Sequence, residues 1–272
     1  MPNILIPTDF SDNANKAISY AVSLFGTDSN YTLVNGFEVP HSGATMLISI
    51  ADILEKDALQ LLNDSKGSLI SNIPALVGKV DVRAVMGSPD VAIKKLLATG
   101  DFDTIVMGTK GATGVKEVLI GSVAANVIGE VTIPVIAVPE DTKVESPKKI
   151  LFAADDQCLI EGKLPEALQT LVSKIDAEVL IVNVVPEGEG GHAGSSNEQK
   201  GRGSGAFEGV KHSIHYIESN DVNGAIEEFI ECNDVHMVAM VTRKHDLFSR
   251  LFGRSNTKAM AMHTHIPLFA FH

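Results

Sequence analysis

The sequence predicts an α/β chain of two tandem, doubly wound, five-stranded parallel-sheet domains of Rossmann-like type. Three observations carry this prediction: short apolar runs alternate with helix-period segments, the runs are apolar on both faces, and the whole order begins again after Lys143. Strands buried on both faces need helices above and below, and right-handed crossovers supply them.

The run Ile4-Leu5-Ile6-Pro7 is the first strand, ended by the turn Thr8-Asp9. Ser11-Asp12 then precede the helical spacing of Ala17, Ile18, Ala21, Val22 and Phe25. Tyr31 to Phe37 predicts a second buried strand, and residues 46–72 a long helix through Leu54, Ala58, Leu61, Leu62 and Leu69. A strand Val80 to Met86 follows, then a helix Val91 to Ala98 closed by Gly100, and a strand Thr104 to Met107. A helix Ser122 to Ile128 and a strand Pro134 to Val138 complete the half.

The second half repeats this plan. Lys149 to Asp155 echoes Asn3 to Asp9, and Leu180-Ile181-Val182-Asn183 echoes Thr32-Leu33-Val34-Asn35. Met240 to Arg243 and Thr264 to Pro267 echo Met107 to Lys110 and Val131 to Pro134. The repeat predicts domains at 1–143 and 147–272. In the second, the long helix is replaced by the glycine-rich stretch 186–206, whose composition predicts a mobile loop.

Composition excludes several classes. The 272 residues hold 22 Lys and Arg against 34 Asp and Glu, a formal net charge of −12, which opposes generic attraction to nucleic acid or an anionic membrane. Any anionic ligand must be held locally. Cys158 and Cys232 stand far apart, which suits a reducing compartment, and the start of the chain has no basic and apolar leader. No run of 18 apolar residues predicts a membrane span, so the expected location is the cytoplasm. Trp is absent and aromatics make up 5%, which argues against base-stacking platforms.

The most specific chemical pattern is G-x2-G-x9-G-[ST] at Gly108, Gly111, Gly121 and Ser122. Chance predicts roughly 0.02 such matches in a chain of this composition. Gly108 leaves the carboxyl end of a strand, where an open parallel sheet binds ligands, and its missing side chain permits close backbone approach. Gly121-Ser122 opens a helix whose free amides and dipole attract anions. There Ser122 either caps the helix or bonds a phosphate. Lys110 and Lys116 supply local positive charge.

Pro7-Thr8-Asp9-Phe10-Ser11, Gly87-Ser88-Pro89, Ile105 to Thr109, the glycine loop and Ile133-Pro134-Val135 together resemble the universal stress protein family. The likeness covers nearly all of residues 1–140, and the second half is similar through Lys149 to Asp155, Asn183 and Thr242 to Pro267, so the chain resembles a tandem universal stress protein. The resemblance implies ATP binding in the first half, with or without Mg2+. It implies that Pro7, Thr8 and Asp9 meet base and ribose, that Gly36 lies under the adenine, and that Met107, Gly108, Thr109, Lys110, Gly111, Ala112 and Thr113 with Gly121, Ser122 and Val123 hold the phosphates. Gly36 departs from the usual apolar residue and gives the adenine less contact. Taken alone, Asp9 also reads as a turn or cap aspartate.

The second half keeps the frame and changes the site. Val241 stands for Gly108, Lys244 for Gly111 and Arg254 for Gly121, with only Ser255 preserved, while Glu218 and Asn220 replace Gly87 and Pro89. No ATP is expected there. Arg243, Lys244, His245, Arg250 and Arg254 make the loop 242–255 basic, which reads as a solvated loop or a side-chain anion site. His212, His215, His236, His263 and His265 lack metal-ligand spacing, so no metal site is expected.

Three functions follow from these readings. The first is an ATP-binding stress-response or regulatory protein with nucleotide in the first domain only, in which the second domain serves pairing with the first, or a homodimer, or an unknown protein partner. The second is a slow ATP hydrolase or self-phosphorylating protein, for which the motif offers only Glu117 as an acid. The third is a nucleotide-free interaction module using the last strands, Pro134 to Val138 and Ile266 to Phe271, as pairing edges.

Overall fold

The computed structural model describes residues 1–39, 47–110, 121–154, 162–187, 209–242 and 266–272, together with Leu159 and Phe207. The chain divides into two compact units, Met1–Glu145 and Ser146–His272. The glycine-rich stretch from Gly188 to Ala206, the loop 111–120 and the basic loop from Arg243 onward lie outside the described residues.

In the first unit the strands are β1 (Asn3–Pro7), β2 (Asn30–Phe37), β3 (Val80–Met86), β4 (Thr104–Gly108) and β5 (Val135–Val138). The helices are α1 (Asp12–Phe25), α2 (Leu47–Asn72), α3 (Pro89–Leu97) and α4 (Ser122–Glu130). The strands pair in parallel in the order β3-β2-β1-β4-β5. The chain runs outward from β1 to β3, then crosses to β4 on the other side, so β1 and β4 flank a topological switch point at their carboxyl ends.

Local chemistry explains the boundaries. Ser11 caps α1 by accepting from the Ala14 N–H at 3.2 Å, and Gly26 ends it with φ +68° while its N–H reaches Val22 O. Ala17, Ile18, Ala21, Val22 and Phe25 are the buried stripe that the spacing predicts. The helix α3 begins two residues before the predicted Val91, because Pro89 takes its first turn and Ser88 stands at the cap position. Strand β4 extends through Gly108, which pairs with Val138. Ile4, Leu5, Ile6, Leu33, Ile105 and Ile136 are fully buried at the centre of the sheet.

The second unit repeats the architecture. Its strands β6 (Lys149–Ala153), β7 (Glu178–Val185), β8 (His212–Glu218), β9 (Met237–Val241) and β10 (Leu268–Phe271) pair in parallel in the order β10-β9-β6-β7-β8. Helices Glu166–Ile175 and Val222–Asn233 lie between them in sequence. The duplication extends to side-chain hydrogen bonds: Asn35 Nδ2 donates to Thr8 O at 2.8 Å, and Asn183 Nδ2 donates to Ala154 O at 3.1 Å. Among the described residues no helix is long and apolar enough to cross a membrane.

Candidate functional site

The carboxyl ends of β1, β2 and β4 and the amino ends of α3 and α4 enclose a cleft of about 470 Å3 in the first unit. Pro7, Thr8, Asp9, Gly36, Met107, Gly108, Thr109, Lys110, Gly121, Ser122 and Val123 all line it. Gly111, Ala112 and Thr113 lie outside the described residues. The cleft wall also includes Pro89, from the Gly87-Ser88-Pro89 motif, and Ala14, Val34, Asn35, Ala92 and Ala124, which the motif reading did not single out.

The turn from β1 into α1 is tightly bonded. Asp9 Oδ1 accepts from Ser11 N–H at 3.1 Å and from Ser11 Oγ at 2.6 Å. Thr8 Oγ1 accepts from Phe10 N–H at 3.0 Å, and Phe10 adopts φ +66°, a conformation that costs a bulky residue energy. Asp9 is therefore a turn aspartate and a cleft residue at once.

Behind the cleft sits Asn13, 4% exposed on the otherwise apolar face of α1. Its Nδ2 donates to Val138 O at 2.9 Å, and its Oδ1 accepts from Lys110 N–H at 2.9 Å. One amide thus ties α1 to the end of β5 and to the start of the loop after β4. The sequence signal for it was an amide in line with Ala17 and Ala21, a stripe that is otherwise apolar.

The glycines have protein neighbours as well as a cleft to line. A Cβ at Gly108 would stand 2.6 Å from Asn13 Oδ1, and one at Gly121 would stand 2.8 Å from Thr109 O. The Gly121 N–H donates to that same Thr109 carbonyl at 2.7 Å, bringing the two ends of the loop 110–120 together. Close approach within the protein, which the motif reading did not foresee, already requires glycine at both places. At Gly36 a Cβ would meet Gly87 O at 2.8 Å and Pro89 N at 3.1 Å. The backbone of residues 87–89 fills the place of a side chain there, and Pro89, Val34 and Ala92 supply apolar surface to the cleft.

The two helix ends differ electrically. Helix α3 carries Asp90 in its first turn, where a hydrogen bond with Ser88 holds the carboxyl below its ordinary range. The cap position of α4 is Gly121, with no capping side chain and no acid in the first turn, and Ser122 is the first helical residue and not the cap. The amino end of α4 is therefore the end suited to an anion. Lys110 lines the cleft, but its Nζ lies 3.4 Å from Glu140 Oε2. Among the described residues no three of His, Cys, Asp or Glu gather into a metal site.

A sequence model of the universal stress protein family matches residues 1–139. The chain belongs to that family. A universal stress protein of Methanocaldococcus jannaschii is 28% identical over 151 residues, covering 50% of this chain and 93% of that one. A solved universal stress protein from Archaeoglobus fulgidus matches 99% of this chain and 97% of its own with TM-score 0.66 at 21% identity. A protein of unknown function from Pseudomonas aeruginosa matches 100% of this chain and 92% of its own with TM-score 0.56 at 13% identity. At those identities the structural matches speak for the fold alone.

Within this universal stress protein the cleft belongs to the first unit. The corresponding strand end in the second unit carries Val241 in place of Gly108, and no asparagine occurs between Asp155 and Val182 to take the part of Asn13.

Proposed function

We propose that this chain is a cytoplasmic ATP-binding stress-response protein that holds one nucleotide, in the first domain, while the second domain is a nucleotide-free partner module. The observation that carries the reading is the convergence of eleven motif residues on one cleft at the switch point, beneath a helix end whose cap residue, Gly121, has no side chain. The apolar portion beside Val34, Pro89 and Ala92 suits a base. Asp9 and Thr8 stand where a ribose would lie, and Ser122 and Val123, in the first turn of α4, present backbone N–H groups to a phosphate chain. The Thr109 hydroxyl, buried with no partner among the described residues, is a donor in want of an acceptor at that end. Mg2+ would reach this site on the phosphates, since the described residues gather no carboxylate cluster around it.

The test is to denature freshly purified protein and identify released nucleotide by chromatography and mass spectrometry. Calorimetric titration with ATP, ADP, AMP and cAMP, the last being the ligand of one solved universal stress protein, then ranks the candidates. About one ATP per chain is expected. Absence of nucleotide on release together with absence of binding on titration refutes the reading.

A further inference from the structure

In both units the carbonyl that ends the last strand receives two hydrogen bonds, but from different donors. In the second unit Phe271 O accepts from the Thr242 N–H at 2.7 Å and from the Thr242 hydroxyl at 3.1 Å. The His272 ring nitrogens lie 3.1 and 3.4 Å from that hydroxyl. In the first unit Val138 O accepts from the Thr109 N–H at 3.1 Å and from Asn13 Nδ2 at 2.9 Å. The two threonines are equivalent, because Gly108 pairs with Val138 as Val241 pairs with Phe271.

Asn13 therefore occupies the acceptor that the Thr242 hydroxyl uses in the other unit. The Thr109 hydroxyl is left buried without a hydrogen-bond partner among the described residues, on a residue 4% exposed that lines the cleft. A buried hydroxyl with no acceptor is a standing penalty that a ligand oxygen removes. Gly108 makes the arrangement sterically feasible, since a Cβ there would collide with Asn13 Oδ1. Glycine, asparagine and unpaired hydroxyl go together, and the second unit has none of the three.

We infer that Asn13 is a positioning residue of the nucleotide site. By holding the Val138 carbonyl it keeps the Thr109 hydroxyl available to donate to an oxygen of the bound phosphate chain. The inference rests on the nucleotide reading of the first unit.

The experiment is calorimetric titration of ATP into the full chain and into Thr109→Val, Thr109→Ser, Asn13→Ala and the Asn13→Ala, Thr109→Val double variant, with the melting temperature of each measured without nucleotide. Thr109→Val removes the hydroxyl at constant shape, so it raises the nucleotide-free melting temperature while weakening ATP by about tenfold or more, and Thr109→Ser keeps affinity within about threefold. In Asn13→Ala the Thr109 hydroxyl turns onto Val138 O, as Thr242 does onto Phe271 O, so ATP weakens by a similar factor and adding Thr109→Val costs little more. Unchanged ATP affinity in Thr109→Val, or a lowered melting temperature, overturns the role of the hydroxyl. A further tenfold loss from Thr109→Val on the Asn13→Ala background overturns the positioning role. No ATP binding by the unmodified chain overturns the nucleotide reading itself, and this inference with it.

Discussion

Replacing Gly108 by alanine adds one methyl group at the most crowded point of the site. The new Cβ would lie 2.6 Å from Asn13 Oδ1 and 2.9 Å from its Cγ, so the asparagine has to move. Moving it endangers two hydrogen bonds, a buried one to Val138 O and a partly buried one from Lys110 N–H, each worth about 0.5–1.5 kcal/mol. Overpacking adds roughly 1–3 kcal/mol, so the expected destabilisation is about 3 kcal/mol. For a cooperative unit of this size that lowers the melting temperature by about 6–12 °C. Gly67→Ala and Gly129→Ala are the controls, since both glycines lie in helices and a Cβ at either meets nothing within 4 Å. Each control should stabilise by about 0.5–1 kcal/mol. Circular dichroism melts of the three variants decide the matter. A Gly108→Ala melt within about 2 °C of the parent would refute the close-packing account of this glycine.

Glu140→Gln leaves the Lys110 ammonium without its acid 3.4 Å away, so ATP should bind about threefold more tightly at low salt, with the gain vanishing at high salt. Calorimetry at two ionic strengths checks this, and equal affinities at low salt would show that Lys110 does not face the phosphates. Tyr20 is 1% exposed with its hydroxyl lacking a partner among the described residues, so Tyr20→Phe should leave stability at pH 7 unchanged or higher by about 1 kcal/mol. Burial raises the Tyr20 hydroxyl far above its ordinary value and pushes Tyr31 up to about 12. A folded value raised above the unfolded one means that the stability these groups contribute is complete below pH 10 and is lost as pH climbs through about 12. Denaturant melts between pH 8 and 12 should show that decline, and it should be shallower in Tyr20→Phe.

Much of the first unit could be read from the sequence because its signals are local. The alternation of apolar runs and helical spacings placed all five strands and four helices, and the repeat placed Lys149 and Leu180 in strands of the second unit. The glycine pattern located the cleft, since Gly108 and Gly121 flank it. Asn13 was harder to find: its partners, Val138 O and Lys110 N–H, lie 125 and 97 residues away in sequence, and no spacing rule reaches that far. The reason for Gly36 was hidden likewise, because it depends on the backbone of Gly87 and Pro89 across a strand pair. The edge strand His212–Glu218 carries polar residues through most of its length and gives a weak apolar signal.

The paired amides Asn35 and Asn183 bear on how the duplicated plan tolerates change. Each donates to the carbonyl just past the first strand of its own unit, Thr8 in one and Ala154 in the other. The second unit differs from the first at the positions equivalent to Gly108, Gly111 and Gly121 and keeps this bond. The tie between the first two strand tips thus belongs to the assembly of each unit, and mutational tolerance should divide the same way. Saturation libraries would find Asn183 as intolerant as Asn35, while Val241 accepts many residues and Gly108 accepts almost none.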